Sequence, residues 1–118
     1  MDPPEVEAMA RRNYLTGKYT LNKNQLLSAK YYALRYQEWL SELEASGVES
    51  REDLERRIRL IEDTARAAGE DIAEWVLMGV TDEQADYKYL CSFEGLPCDR
   101  GKYYRHRRKF YYLLSSKI

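Results

Sequence analysis

The chain has 118 residues, of which 33% are charged and 44% hydrophobic, with a net charge of −1. That length holds one domain with a modest core. No apolar run approaches the ~20 residues a membrane span needs, and the opening Met1-Asp2-Pro3-Pro4-Glu5 lacks the apolar stretch of a secretory signal. A cytoplasmic, non-membrane protein is therefore expected, with its two cysteines, Cys91 and Cys98, in the reduced state.

Residues 1–20 read as a partly ordered lead-in. Pro3 and Pro4 suit the first turn of a short helix over Glu5 to Tyr14, and Thr16-Gly17-Lys18 breaks it. The first long helix is expected over 22–46, started by Asn22 or Thr20 and stopped before Gly47. Leu26, Ala29, Ala33, Tyr36, Leu40 and Leu43 recur at helical spacing on one face, which Leu27, Tyr31 and Trp39 broaden.

The spacing predicts a second long helix over 51–78, with Ser50 as its cap and Glu52 and Asp53 in the first turn. Leu54, Ile58, Ile61, Ala65, Ala68, Ile72 and Trp75 alternate steps of four and three, a seam of coiled-coil type. The link Gly47-Val48-Glu49-Ser50 is short enough to make the two helices antiparallel neighbours. Packing within one chain is the default use of the seam, and a homodimer through the second helix is the alternative.

Gly79-Val80-Thr81 is expected to end that helix, and Thr81 to cap a third that runs to about Ser92 or Glu94. Gly95-Leu96-Pro97 is a turn, and Asp99 caps a fourth helix from about Arg100 to Ser116. The expected fold class is all-α: an antiparallel long-helix hairpin over 21–79, plus a C-terminal helix-turn-helix-like unit over 80–118.

The terminal segment carries the chemistry. From Cys98 to Ile118, seven cations oppose only Asp99, which gives +6 and leaves −7 on residues 1–97. On the fourth helix Tyr103, Phe110 and Leu114 share one side, while Lys102, Arg105, Arg108, Lys109 and Tyr112 cluster on the other. A compact cationic face on an acidic chain suits a polyanion, with double-stranded DNA the leading partner. Guanidinium forks match phosphate oxygens or guanine edges in pairs. The plain alternative is a solvated helix face, or one docked on the acidic outer faces of the long helices.

The stretch from Gly95 to Leu114, with its small apolar turn, Asp99 start, Tyr103-Tyr104-Arg105 step, basic run and apolar tail, resembles the C-terminal end of phage late transcription regulators of the RinA/ArpU type. The resemblance implies a sigma-region-4-like helix-turn-helix acting on late genes of a phage or prophage. Carried over by position, Lys102, Tyr104, Arg105, Arg107 and Arg108 face DNA, and Lys109 joins them from the charge pattern. RNA polymerase is a candidate contact. Two departures stand out: the link Gly95 to Asp99 is longer than such units use, and Glu94 occupies a position where an apolar residue is expected.

Two other functions remain open at this point. One is a phage-encoded module that binds a host or packaging protein through the same helix. The other is a small DNA-packaging (terminase small) subunit. Cys91, Cys98 and His106 lie at Cys-x6-Cys-x7-His spacing, without the tight knuckle and fourth ligand of structural zinc, so no metal or cofactor is expected. His106 is expected to extend the basic surface in neutral form. No nucleophile–base pairing or phosphate-cradling loop points to an enzyme.

Overall fold

The computed structural model describes residues 19–45 and 51–118. These residues are all-α, in six helices and one 3-10 turn: α1 Lys23–Leu34, α2 Tyr36–Ala45, α3 Arg51–Ala68, the 3-10 turn Glu70–Ile72, α4 Ala73–Thr81, α5 Tyr87–Phe93 and α6 Arg100–Ser115. The expected helix over Glu5 to Tyr14, the Gly47 stop and the Ser50 cap lie outside the described residues. None of the helices is long and apolar enough to cross a membrane.

The expected 22–46 helix is two helices. Asn22 starts α1 with a reciprocal capping box: its side chain accepts from the Gln25 N–H at 2.8 Å, and its own N–H donates to the Gln25 side chain at 3.0 Å. At Arg35 the backbone tightens, its N–H donating to the Tyr32 carbonyl at 3.2 Å, and α2 follows. The bend sends the two halves to different neighbours, since α1 packs on α6 and α2 on α3. It also seats Trp39, 1% exposed, edge-on against Tyr32 with ring centroids 4.9 Å apart. Leu26, Ala29, Ala33 and Tyr36 are buried as the spacing predicts. Leu40 and Leu43 are half-buried, and Tyr31 is exposed rather than part of the apolar face.

The antiparallel course of α2 and α3 is visible in two cross-helix contacts. Tyr36, at the start of α2, donates its hydroxyl to Glu62 far along α3 at 2.6 Å, whereas Trp39, one turn later, meets the Arg57 guanidinium nearer the start of α3. Burial also raises the Tyr36 phenol pKa, reinforced by that bond to Glu62.

The expected continuous helix over 51–78 breaks at Gly69. Its seam is buried from Leu54 to Ile72, but Trp75 is only half-buried, and past the break the core positions are Ala73, Val76 and Val80. The tertiary structure explains the glycine: the His106 ring of α6 occupies the place where a β-carbon at 69 would stand. Helix α4 then runs through Gly79 to Thr81. Thr81 caps nothing; its hydroxyl donates back to the Leu77 carbonyl at 2.7 Å. Asp86 is the cap of the next helix, accepting from the Tyr89 N–H at 2.8 Å. Gly95, at φ 68°, ends α5 in the left-handed region that glycine tolerates.

The terminal helix packs chiefly on α3 and α1, not on its predecessor α5. Tyr103, Phe110 and Leu114 are fully buried and belong to the same core as Trp39, Ile61 and Val76. Residues 80–118 thus share one core with residues 21–79. Helix α6 is a central element of the core, because its apolar flank is long enough to fill the space between α1 and α3.

Candidate nucleic-acid interface

Helix α6 is fixed at its start by Asp99, whose side chain accepts from the Lys102 N–H at 2.8 Å. Its inward side consists of Tyr103, Arg107, Phe110, Tyr111 and Leu114. Arg105 is exposed, Lys102, Arg108 and Lys109 are half-buried beside it, and Tyr112 is exposed along the same arc. At 3.6 residues per turn these five form one stripe.

The six expected DNA-facing residues do not stand equally. Arg105 and Arg108 form no ion pair among the described residues. Lys102 pairs with Asp71 of the 3-10 turn, which holds the Asp71 carboxyl below its usual range and raises the lysine. Lys109 lies 5.7 Å from the Tyr19 ring, and Tyr19 meets Tyr112 edge-on at 5.3 Å. Tyr104 is half-buried among Tyr103, Tyr87 and Arg107, its ring edge-on to Tyr103 and tilted against Tyr87.

Arg107 is the clear correction. It is 6% exposed, donates to the Tyr111 hydroxyl at 3.3 Å, and lies 5.7 Å and 5.9 Å from the Tyr111 and Tyr104 rings. It lines a narrow crevice with Lys30 of α1, Gly79 of α4 and the acids Glu83 and Asp86. Its guanidinium is enclosed by the cation–π contacts with Tyr104 and Tyr111.

His106 is also not a surface base. Its side chain is 20% exposed, wedged against Gly69, with Nδ1 4.0 Å from Asp71. Burial lowers its pKa first, with Lys102, Arg105 and Lys109 adding to the effect and Asp71 opposing it. The expected neutral form holds, but the leading cause is desolvation rather than neighbouring charge.

Cys91 and Cys98 are free thiols, both half-buried. Tyr87 donates to the Cys98 carbonyl at 3.1 Å, and its phenol is pushed up to about 12, chiefly by hydrogen bonding with Cys91. No cluster with metal-ligand composition occurs among the described residues.

Two members of the site were not legible in the sequence. Tyr19 and Asp71 reach the stripe from segments distant in the chain, and neither carries a local signal. Compared with protein-family models, curated proteins and solved structures, the chain gives no match.

Proposed function

We propose that this protein is a small, non-enzymatic DNA-binding regulator that lays the outer arc of α6 along duplex DNA. Arg105, Arg108 and Lys109 are the phosphate contacts, Lys102 joins them at the cost of its bond to Asp71, and Tyr112 adds contact at the far end. The single observation that carries this reading is the cationic stripe, on which Arg105 and Arg108 have no carboxylate partner among the described residues. The resemblance to RinA/ArpU-type regulators supports late-gene promoters of a phage or prophage as the target, with RNA polymerase nearby.

The way α6 is held modifies the mode of binding. A recognition helix that enters the major groove needs most of its circumference clear. Helix α6 is packed by α1 and α3, and Arg107 is enclosed, so only one arc is presented. Phosphate contact along the groove edge follows, with base reading confined to Arg105 near the start of the helix.

Fluorescence anisotropy with random and promoter duplexes at two salt concentrations tests the proposal. Three to four neutralised phosphates give a slope of log K against log salt of roughly −3. Arg105→Ala with Arg108→Ala should abolish retention and leave helicity intact. Undiminished binding by that double variant would remove α6 as the contact surface.

A further inference from the structure

A second surface, opposite in sign, follows the outer side of α4. Two clefts of about 770 Å³ and about 310 Å³ share Leu77 as a common wall. Their apolar floor is Trp75, Leu77, Met78 and Tyr89. The Trp75 indole is fixed there, donating to the Glu94 carbonyl at 2.7 Å while the residue stays half-buried. Phe93, 75% exposed, stacks on Tyr89 with centroids 5.3 Å apart and extends the floor past the cleft.

The rim is acidic: Glu62, Glu70, Glu74, Asp82 and Glu94, with Asp71 beside them already paired to Lys102. Among the described residues Arg66 is the one cation lining either cleft, and it is bonded to Asp63. A phosphate backbone is repelled by such a rim, whereas a cation is drawn to it.

We propose that this groove docks a cationic amphipathic helix of a partner protein. Complementary charge selects the sign of the partner, and the aromatic floor requires that it also carry an apolar stripe. A helix is favoured over a strand because the described residues contain no sheet edge to pair with an extended peptide, whereas a helix satisfies its own backbone. Among the described residues, a second copy offers no fitting helix. The cationic helix of this chain, α6, has its apolar side sealed in its own core and offers only charge. With the groove and the α6 stripe separately occupied, the protein joins a cationic partner to a polyanion.

Isothermal titration with a synthetic leucine–lysine amphipathic helix of about five turns tests this. Its controls are the same composition with leucines scattered around the helix, and a leucine–glutamate version. Trp75 fluorescence reports occupancy, because Trp39 is sealed at 1% exposure. Saturable one-to-one binding of the patterned cationic peptide alone is expected. Glu74→Lys with Glu94→Lys, and separately Phe93→Ser, should weaken it about tenfold or more with unchanged circular dichroism and unchanged DNA binding. Equal binding of the scattered peptide, or wild-type affinity in the groove variants, overturns the proposal. Sedimentation showing a self-association that the same groove variants abolish overturns it too, by making the occupant a second copy.

Discussion

The Tyr103 hydroxyl stands where the β-carbon of any residue larger than glycine at position 79 would be. This contact joins α6 to α4 and explains why a glycine lies buried within a helix that does not end there. The Tyr103 side chain is fully buried, and its hydroxyl makes no hydrogen bond of normal geometry. Desolvation pushes the phenol up to about 12 even though the Arg107 guanidinium lies near enough to oppose it. Gly79→Ala should destabilise the protein by roughly 2 kcal/mol through overpacking, despite alanine's better helix propensity. Tyr103→Phe should stay within about 1 kcal/mol of wild type, because it removes a poorly satisfied polar group. Combined, the two should recover most of the loss, a coupling above about 1 kcal/mol in a denaturant double-mutant cycle. Additive losses would show that the contact does not set the α4–α6 distance.

Ile61 sits at the centre of the α3 seam with no exposed surface. Ile61→Asp should cost more than about 4 kcal/mol, because a carboxyl there has neither water nor a partner. Loss of the cooperative melt by circular dichroism is the expected result. A near-wild-type melting temperature would mean that the seam is not the core.

Arg105 and Arg107 separate binding from folding. Arg105→Ala should change stability by less than about 0.5 kcal/mol while weakening DNA binding. Arg107→Ala should do the reverse at first order, lowering stability by about 2 kcal/mol through lost packing against Tyr104 and Tyr111. Parallel urea titrations and anisotropy measurements distinguish the two. Equal effects on both readouts for Arg107→Ala would place its guanidinium at the interface after all.

His106 should make stability pH-dependent. Its folded pKa is depressed below the ordinary 6.5, so the unfolded chain takes up the proton first as pH falls. Its contribution is complete above 6.5 and declines as pH drops from there toward the folded value. Asp71, held below 3.8 by Lys102, acts in the same direction only at still lower pH, so the two windows separate. Thermal melts between about pH 7 and about pH 5 should show a falling midpoint that His106→Gln flattens. An unchanged slope in that variant would assign the effect elsewhere.

Much of the architecture is legible from periodicity and capping chemistry. Asn22 and Asp99 are caps because a short side-chain acceptor there meets an open N–H, a local relationship that needs no partner element. The Gly95 turn follows equally locally from a left-handed residue. The errors fall where a distant group intervenes. The thin stretch from Ala65 to Gly69 calls for a close neighbour, but does not say that the neighbour is His106 or that the helix breaks there. Thr81 reads as a cap until the core holds Val80 in the same helix. Chain order separates 21–79 from 80–118, but the core they share is visible only in space, where α6 packs on α1 and α3.

Local chemistry alone determined that the chain is helical, where most helices begin, and that its cations gather near the carboxyl end. Helical phase also set Arg107 about 200° around the axis from Arg105. Only the tertiary structure decided what that angle means. The neighbouring helices α1, α3 and α4 together cover α6, and the covered sector takes in Arg107 and Tyr111 while leaving Arg105 exposed and Arg108 half-buried. Periodicity specifies the angle of every side chain, but the number of neighbouring elements fixes how much of the circumference is withdrawn from water.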